Sequence, residues 1–329
     1  MPSWKADVVV IGAGVSGLTT GVLLAENGLR VLVRTNKPPL RTTSAAAGAM
    51  WDPTLAEHAA VGEWGIRTLR VLSGLVRERV GVRAVEGVEV FTTDHDFPGW
   101  DKAPSGARKC TPSEIPPGYA AGWSYTTPIV DMPRYLRYLQ NRLIRGGGRL
   151  RIGGKLRVGT AFKIAPIVVN CAGTGAARFV GDDSVRPVRG QLVVVRNPGI
   201  TKFFTAASFD SSMMTYMLPQ GDDILVLGGS MDEGFPRSWP DKRRVAAGII
   251  DRCAAVDRRV RHAQVLSQRV GLRPQRPQVR LEAELWAPGC LLVHNYGHGG
   301  SGVSLSWGCA EAVAALVLGS SETSAACHI

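Results

Sequence analysis

Three arginines stand close together in Gly271-Leu272-Arg273-Pro274-Gln275-Arg276-Pro277-Gln278-Val279-Arg280. The prolines among them stiffen the backbone. A guanidinium held this way can grip a carboxylate through two parallel hydrogen bonds, which fixes orientation as well as balancing charge. The residues alone do not choose among the three. Tyr216, in Thr215-Tyr216-Met217-Leu218-Pro219, is either a second hydroxyl for such a carboxylate or a core tyrosine with a satisfied hydroxyl. A third stretch, Val293-His294-Asn295-Tyr296-Gly297-His298-Gly299-Gly300-Ser301-Gly302-Val303, leads into a helix-like run from Ser304 to Leu318. Its glycines let backbone N–H groups close on an anionic or polarised ligand at a helix N-terminus. A metal is not expected there. Gly297 breaks the helix that His294 and His298 would need to share a face, and no third ligand stands out.

The N-terminus supplies a second ligand-binding motif. Asp7-Val8-Val9-Val10-Ile11 suits a buried parallel strand, and an amphipathic helix from about Val15 to Asn27, closed by Gly28, follows it. Between them lies Gly12-Ala13-Gly14-Val15-Ser16-Gly17. Gly12 allows the tight turn, Gly14 the close approach of a pyrophosphate, and Gly17 the packing of helix on strand, while the helix dipole favours phosphate charge. One expected piece is missing. The next strand, Val31-Leu32-Val33, should end at an acid that accepts ribose hydroxyls, roughly 20 residues past the glycines. This chain has Arg34-Thr35-Asn36-Lys37 there. Either the Thr35 hydroxyl makes a weaker version of that bond, or Arg34 and Lys37 meet a 2′-phosphate, as in NADP.

The chain of 329 residues carries a net charge of +12. Much of the excess falls between Met132 and Gly181, which holds no acidic residue. No stacking aromatics or nucleic-acid motif accompany this run, so a solvated basic face is expected rather than a specific nucleic-acid site. Six scattered cysteines without CxxC spacing point to reduced thiols in a cytoplasmic protein. The sequence shows neither a membrane-length apolar window nor a secretory h-region at its start. Arg149 to Val158 alternates around Gly153-Gly154 and reads as a hairpin. A helix is expected from Pro133 to about Arg145, and a strand over Ile167-Val168-Val169-Asn170. Gln191 to Val195, Met213 to Leu218 and Asp223 to Gly229 read as antiparallel strands, with Pro219-Gln220-Gly221-Asp222 turning between the last two.

Taken together, the GxGxxG turn, the Gly271–Glu282 stretch and the His294–Ser304 loop resemble, in order, the motifs of the D-amino acid oxidase family. These are FAD-dependent enzymes of the glutathione reductase-like superfamily. The resemblance implies an α/β fold, with a Rossmann-like FAD-binding domain and a discontinuous, mainly antiparallel-sheet substrate domain. Residues 1–52, 131–188 and 276–329 would form the former, and 53–130 and 189–275 the latter. FAD contacts are implied at Gly12, Ala13, Gly14, Val15, Ser16 and Gly17, and at Thr35, where relatives carry Asp, with Asn36. A second small-residue segment, Arg41 to Trp51, is implied to approach the cofactor through Thr42, Thr43, Ser44, Gly48, Ala49 and Met50. Val168 belongs to a further approach, and Gly299, Gly300, Ser301, Gly302, Val303 and Ser304 to the loop around the flavin.

The family pattern also assigns roles in catalysis. It picks Arg273 and Tyr216 for the substrate carboxylate and the Gly300 carbonyl for the substrate amine. Ser212 stands where many relatives place a lid tyrosine, which opens space for a bulky side chain. The implied reaction is hydride transfer from the D-amino acid Cα to flavin N5, then hydrolysis to a 2-oxo acid and ammonia, with O₂ giving hydrogen peroxide. Positive charge at the start of the last helix would favour the reduced, anionic flavin. No Lys or Arg lies between Thr205 and Tyr216 to pair a second carboxylate, so neutral side chains are expected. Glycine or sarcosine oxidase-like activity and D-aspartate oxidase activity are the neighbouring readings. A flavoprotein without turnover and a basic nucleic-acid-associated protein are the distant ones. The expected partners are a small D-amino acid and O₂, with no membrane, and a homodimer is compatible with the reading.

Overall fold

The computed structural model describes residues 4–94, 105–207, 213–234 and 241–319. The first half comprises β1 (Val8–Ile11), α1 (Val15–Glu26), β2 (Val31–Thr35), α2 (Val61–Leu75), β3 (Val82–Phe91), β4 (Ser105–Lys109), β5 (Ala121–Val130) and α3 (Met132–Arg145). Then come β6 (Arg149–Ile152), α4 (Val158–Phe162), β7 (Ile167–Asn170), α5 (Ala176–Val180), β8 (Arg186–Arg196), β9 (Phe203–Ala207), β10 (Met213–Pro219) and β11 (Ile224–Ser230). The chain continues through α6 (Lys242–Val256), β12 (Val265–Gln275), β13 (Arg280–Ala287), β14 (Cys290–Tyr296) and α7 (Ser306–Gly319).

The strands form two sheets. One has the order β13-β14-β7-β1-β2-β6, parallel except at β13, and the other β12-β8-β11-β10-β9-β3-β5-β4. The all-apolar β1 and the β7 run that ends in Asn170 sit at the centre of the first sheet, where both faces are covered. Helix α1 packs against α3 and α7 over one of those faces. It is not the amphipathic helix of the sequence reading: helices and sheet enclose it on nearly every side, and most of its residues are buried. Gly28, at φ +86°, follows its last turn. The Asp131 carboxylate caps α3 by accepting from the Arg134 N–H, and Pro133 occupies its first turn. Residues 1–52, 131–188 and 276–329 supply all strands of the first sheet; 53–130 and 189–275 supply the second, apart from the first residues of β8. We keep these limits as proposed domain boundaries.

The expected hairpin at Arg149–Val158 does not form. Strand β6 pairs in parallel with β2, and after Gly153-Gly154 the chain enters α4 instead of turning back. Alternation had signalled the strand correctly, but a Gly-Gly pair also serves a strand-to-helix loop. The basic run is only partly a solvated face. Arg142 binds Glu26 at 2.7 Å and lies over Trp307, and Arg149 lies 4.2 Å from the ring centre of Trp4. Cys110, Cys171, Cys253 and Cys309 are free thiols, but Cys290 is disulfide-bonded, against the expectation for six scattered cysteines. Spacing along a chain does not report which distant segments meet. No helix among the described residues is long and apolar enough to cross a membrane.

Candidate active site

The three glycines of the first motif do different jobs. Gly12 has φ +113°, and a Cβ there would strike the Cys171 carbonyl at the end of β7. A Cβ at Gly17 would strike the Gly12 carbonyl, so α1 can sit on the turn only without one. Gly14 differs: a Cβ would meet only the Ser44 hydroxyl, at 3.0 Å. Its face of the helix N-terminus is open, and the Val15 N–H donates to Ser44 Oγ at 2.9 Å. This exposed backbone, with a hydroxyl beside it at the positive end of a helix, fits the pyrophosphate of FAD. Ala13 and Val15 are buried behind it, and the Ser16 carbonyl accepts from Thr19 inside the helix.

The adenosine end looks different from the sequence expectation. Thr35 Oγ1 donates to the Lys37 carbonyl at 2.8 Å, closing its own turn, and Asn36 is exposed beside it. Arg34 lies against Gly153, and its buried Nε has no hydrogen-bond partner. The Gly153 N–H donates to the Thr35 carbonyl, which brings the β6–α4 loop to this edge. Sequence reasoning missed that loop because it was read as a hairpin. The Val168 side chain is wholly buried in the sheet core, so only its backbone could serve a ligand.

The second segment, Pro39–Ala46, forms two short 3₁₀ turns. Thr42 Oγ1 donates to the Pro39 carbonyl, and Thr43 Oγ1 to the Leu272 carbonyl of β12. Beyond them Gly48 touches Tyr216: a Cβ there would lie 3.3 Å from the tyrosine hydroxyl. Ala49 is held at φ +59°, a left-handed conformation uncommon for a residue with a Cβ. Met50 then bridges to Ile129 of β5.

The loop after β14 is pinned on both sides. The Gly299 N–H donates to the Pro274 carbonyl, and a Cβ at Gly299 would press on Gln275 and Leu55. Gly300 faces the Leu55 side chain, a contact absent from the sequence reading. Ser301 Oγ accepts from the Leu55 N–H at 3.0 Å, and Ser304 Oγ from the Asp52 N–H at 2.9 Å. Gly302 is unencumbered, whereas Val303 is buried. Helix α7 starts at Ser306, two residues later than the run of apolar residues suggests. His298 is fully enclosed, its Nε2 without a partner, and burial pushes it down to about 4.

Of the three arginines, only Arg273 forms no ion pair among the described residues, although Asp232 acts on it electrostatically. Arg276 pairs with Asp182 at 3.0 Å and Arg280 with Glu282 at 2.6 Å. Arg273 Nη1 donates to the Ser230 carbonyl at 2.9 Å, and no carboxylate among the described residues forms an ion pair with it. Its guanidinium fills the space over Gly190, where a Cβ would lie 2.5 Å from Nη1. Behind Ser230, the buried Arg189 pairs with Asp232 at 2.6 Å, and Ser230 Oγ donates to the same carboxylate. Tyr216 lies over Gly228, with its phenol enclosed. Burial pushes the guanidinium of Arg273 down and the phenol of Tyr216 up, and the two interact electrostatically. Ser212 and most of the expected lid lie outside the described residues.

Two buried carboxyls, which the sequence reading did not single out, lie at the same face. Glu89 Oε2 accepts from the Tyr125 hydroxyl at 3.0 Å, and Asp52 Oδ1 accepts from the N–H and hydroxyl of Thr54. Burial, reinforced by the nearby Asp52, pushes Glu89 up to about 8. Burial also raises Asp52.

Residues 7–316 match the family DAO, described as FAD dependent oxidoreductase. A D-amino-acid oxidase of Rubrobacter xylanophilus is 45% identical over 94% of this chain and 95% of its own. One of Streptomyces coelicolor is 45% identical over 94% and 96%. Human D-aspartate oxidase is 34% identical over 95% and 94%. Glycine oxidase from Geobacillus kaustophilus has the same fold, with a TM-score of 0.78 at 22% identity over 99% of this chain and 100% of that one. The chain belongs to the DAO family of FAD-dependent oxidoreductases.

Proposed function

We propose that the protein oxidatively deaminates D-amino acids to 2-oxo acids and ammonia, with O₂ reduced to hydrogen peroxide. The observation that carries this reading is Arg273, a buried guanidinium in no ion pair among the described residues, beside the Tyr216 hydroxyl. The names of the two bacterial relatives support D-amino acids as the substrates. Bound FAD supplies the acceptor for a hydride equivalent and passes the electrons to O₂. The chain itself does the positioning. Arg273 and Tyr216 hold the substrate carboxylate, and the Gly300 carbonyl accepts from its amine, so that Cα is fixed at one angle. The Gly299–Ser304 loop, tied to residues 52–55, holds that carbonyl in place. The amine can lose its proton before the transfer, so no side chain here need act as general base.

D-Aspartate oxidation is the weaker reading. Residues 205–216 hold no Lys or Arg, and the carboxyls of Glu89 and Asp52 offer a second substrate carboxylate no cation. Neutral side chains are the proposed preference. A cytoplasmic location and a homodimer stay with this reading as expectations of the sequence. The test is an absorbance scan of the purified protein followed by a peroxide assay over D- and L-amino acids. A flavin spectrum, with peroxide from D-enantiomers, is expected. Colourless protein that gains no activity with added FAD, or oxidation confined to L-enantiomers or D-aspartate, would overturn it.

A further inference from the structure

Strands β2 and β6 run parallel and end together at the edge of the first sheet. The Arg34 carbonyl accepts from the Gly12 N–H at 2.8 Å, which ties this edge to the glycine turn that fits a pyrophosphate. In a doubly wound sheet the adenosine ribose of a dinucleotide lies here, past the carboxyl end of the second strand, where an acid accepts its 2′-hydroxyl. This chain offers no such acid. Residues 27–51, which hold β2 and the segment after it, contain no Asp or Glu, and neither do residues 132–181, which hold β6 and the loop after it. The acids just outside, Asp7 and Glu26, are paired with Arg30 and Arg142. Nor does Thr35 stand in. Its Oγ1 donates to the Lys37 carbonyl at 2.8 Å and accepts from the Lys37 N–H at 3.3 Å, so its one proton and one of its lone pairs are used inside its own turn.

Cations take the place of the acid. Arg34 and Arg151 are the penultimate residues of their strands and stand opposite each other in the β2–β6 register. Residues paired in this way project from the same face, and like charges directly opposite repel. The Arg34 guanidinium reaches past the strand end and lies over Gly153, where a Cβ would crowd both Nη atoms. Its buried Nε has no hydrogen-bond partner, and no ion pair among the described residues includes Arg34 or Arg151. Lys37 and Lys155 are exposed in the loops that follow the two strands. Two guanidiniums held side by side without an acid suit an anion with several acceptor oxygens, and a phosphate monoester is one.

We propose that this edge binds a ribose 2′-phosphate between Arg34 and Arg151, so that NADP(H) occupies the apoprotein in competition with FAD. The open face of Gly14 and the Ser44 hydroxyl serve the pyrophosphate of either dinucleotide, so only one is bound at a time. FAD is held in addition at its flavin end, by the Gly299–Ser304 loop. NADP(H) is held at its adenosine end, where the phosphate accepts from the two guanidiniums and relieves their repulsion. No bond changes in this exchange, and no hydride passes between the two dinucleotides. Its effect is on loading: the fraction of protein that carries flavin falls as the phosphorylated nucleotide rises. Which amino acid the loaded enzyme oxidises has no bearing on it.

NADP⁺ and NAD⁺ differ only by the 2′-phosphate, so each is the control for the other. Added to the holoenzyme, NADP⁺ should displace FAD, followed by the fluorescence of the released flavin, at a concentration roughly tenfold lower than NAD⁺. Calorimetric titration of the apoprotein should show a similar preference for adenosine 2′,5′-bisphosphate over adenosine 3′,5′-bisphosphate, which carries the same charge at another position. Arg34→Gln and Arg151→Gln should each reduce that preference, and Arg34→Lys should keep part of it. Equal displacement by NADP⁺ and NAD⁺ overturns the proposal. Equal binding of the two bisphosphates, or of neither, also overturns it, because it would mean a general attraction for anions or no site at all. A preference that survives both substitutions to Gln would place the phosphate elsewhere and overturn it too. If FAD is held too tightly for either nucleotide to displace, or a variant does not fold, the two bisphosphates on the wild-type apoprotein decide.

Discussion

A guanidinium withdrawn from water is ordinarily paired with a carboxylate, and Arg273 forms no ion pair among the described residues. Its fixed partners are the Ser230 carbonyl and the electrostatic neighbours Tyr216 and Asp232, the latter already paired with Arg189. Arg273→Ala should therefore abolish turnover while flavin stays bound, because nothing ties its side chain to the Gly14 or Gly299 regions. Losing a buried bidentate cation corresponds to about 2–5 kcal/mol, much of it carried by the substrate carboxylate left unpaired. Steady-state kinetics beside a flavin spectrum check this; wild-type kinetics in the variant would show that another arginine does the work. Residues with a motif around them were legible in the sequence. Arg273 was one of three until the family pattern chose it, and the lack of an ion pair among the described residues now separates it from the paired Arg276 and Arg280. Glu89 was not legible at all. A lone acid in an alternating strand reads as a solvent-facing residue, and only the pairing of β3 with β9 turns it towards the site.

Within the first βα unit, each glycine answers to a different neighbour, and substitution should separate them. A Cβ at Gly12 meets the backbone of Cys171, and one at Gly17 the backbone of Gly12. Backbone cannot swing away as a flexible side chain can. Gly12→Ala and Gly17→Ala should each lower stability by overpacking, about 1–3 kcal/mol, with added strain at Gly12 from its positive φ. Gly14→Ala meets only the Ser44 hydroxyl and should fold normally, but its methyl group would occupy the face open to the pyrophosphate. Thermal melts of the apoproteins and FAD titrations check the split. A Gly14→Ala protein that melts as low as Gly17→Ala, or binds FAD with wild-type affinity, would refute it. Elements with strong local signals were read well: β1, β7, α3 and the β10–β11 turn fall within a residue or so of expectation. The failures came where tertiary contacts decide. Burial on all sides removed the polar face expected of α1, and pairing with β2 turned the expected hairpin into one edge strand and a loop.

Over the whole molecule, two buried groups pull stability in opposite directions with pH. His298 is held neutral, its pKa lowered from 6.5 to about 4, so the unfolded chain binds a proton there that the fold does not. Its contribution is complete above pH 6.5 and is lost as pH falls towards 4. Glu89 is raised from 4.5 to about 8, so the fold keeps a proton that the unfolded chain has released. Its contribution is complete below pH 4.5 and is lost as pH rises to 8; Asp52, also raised by burial, acts in the same sense. Between pH 4.5 and 6.5 the slopes of His298 and Glu89 cancel. From pH 6.5 to 8 no histidine opposes Glu89, which contributes about 1.4 kcal/mol per pH unit, or roughly 2 kcal/mol in all. Between pH 6.5 and 8 the apoprotein should thus lose a few degrees of Tm that Glu89→Gln keeps. Glu89→Gln removes one slope. Its Tm should rise between pH 4.5 and 6.5 and stay level above that. Comparing the variants cancels the other titrating groups, and omitting FAD removes stabilisation by ligand binding. An equal fall in both proteins between pH 6.5 and 8 would mean that Glu89 is already ionised in the fold at neutral pH.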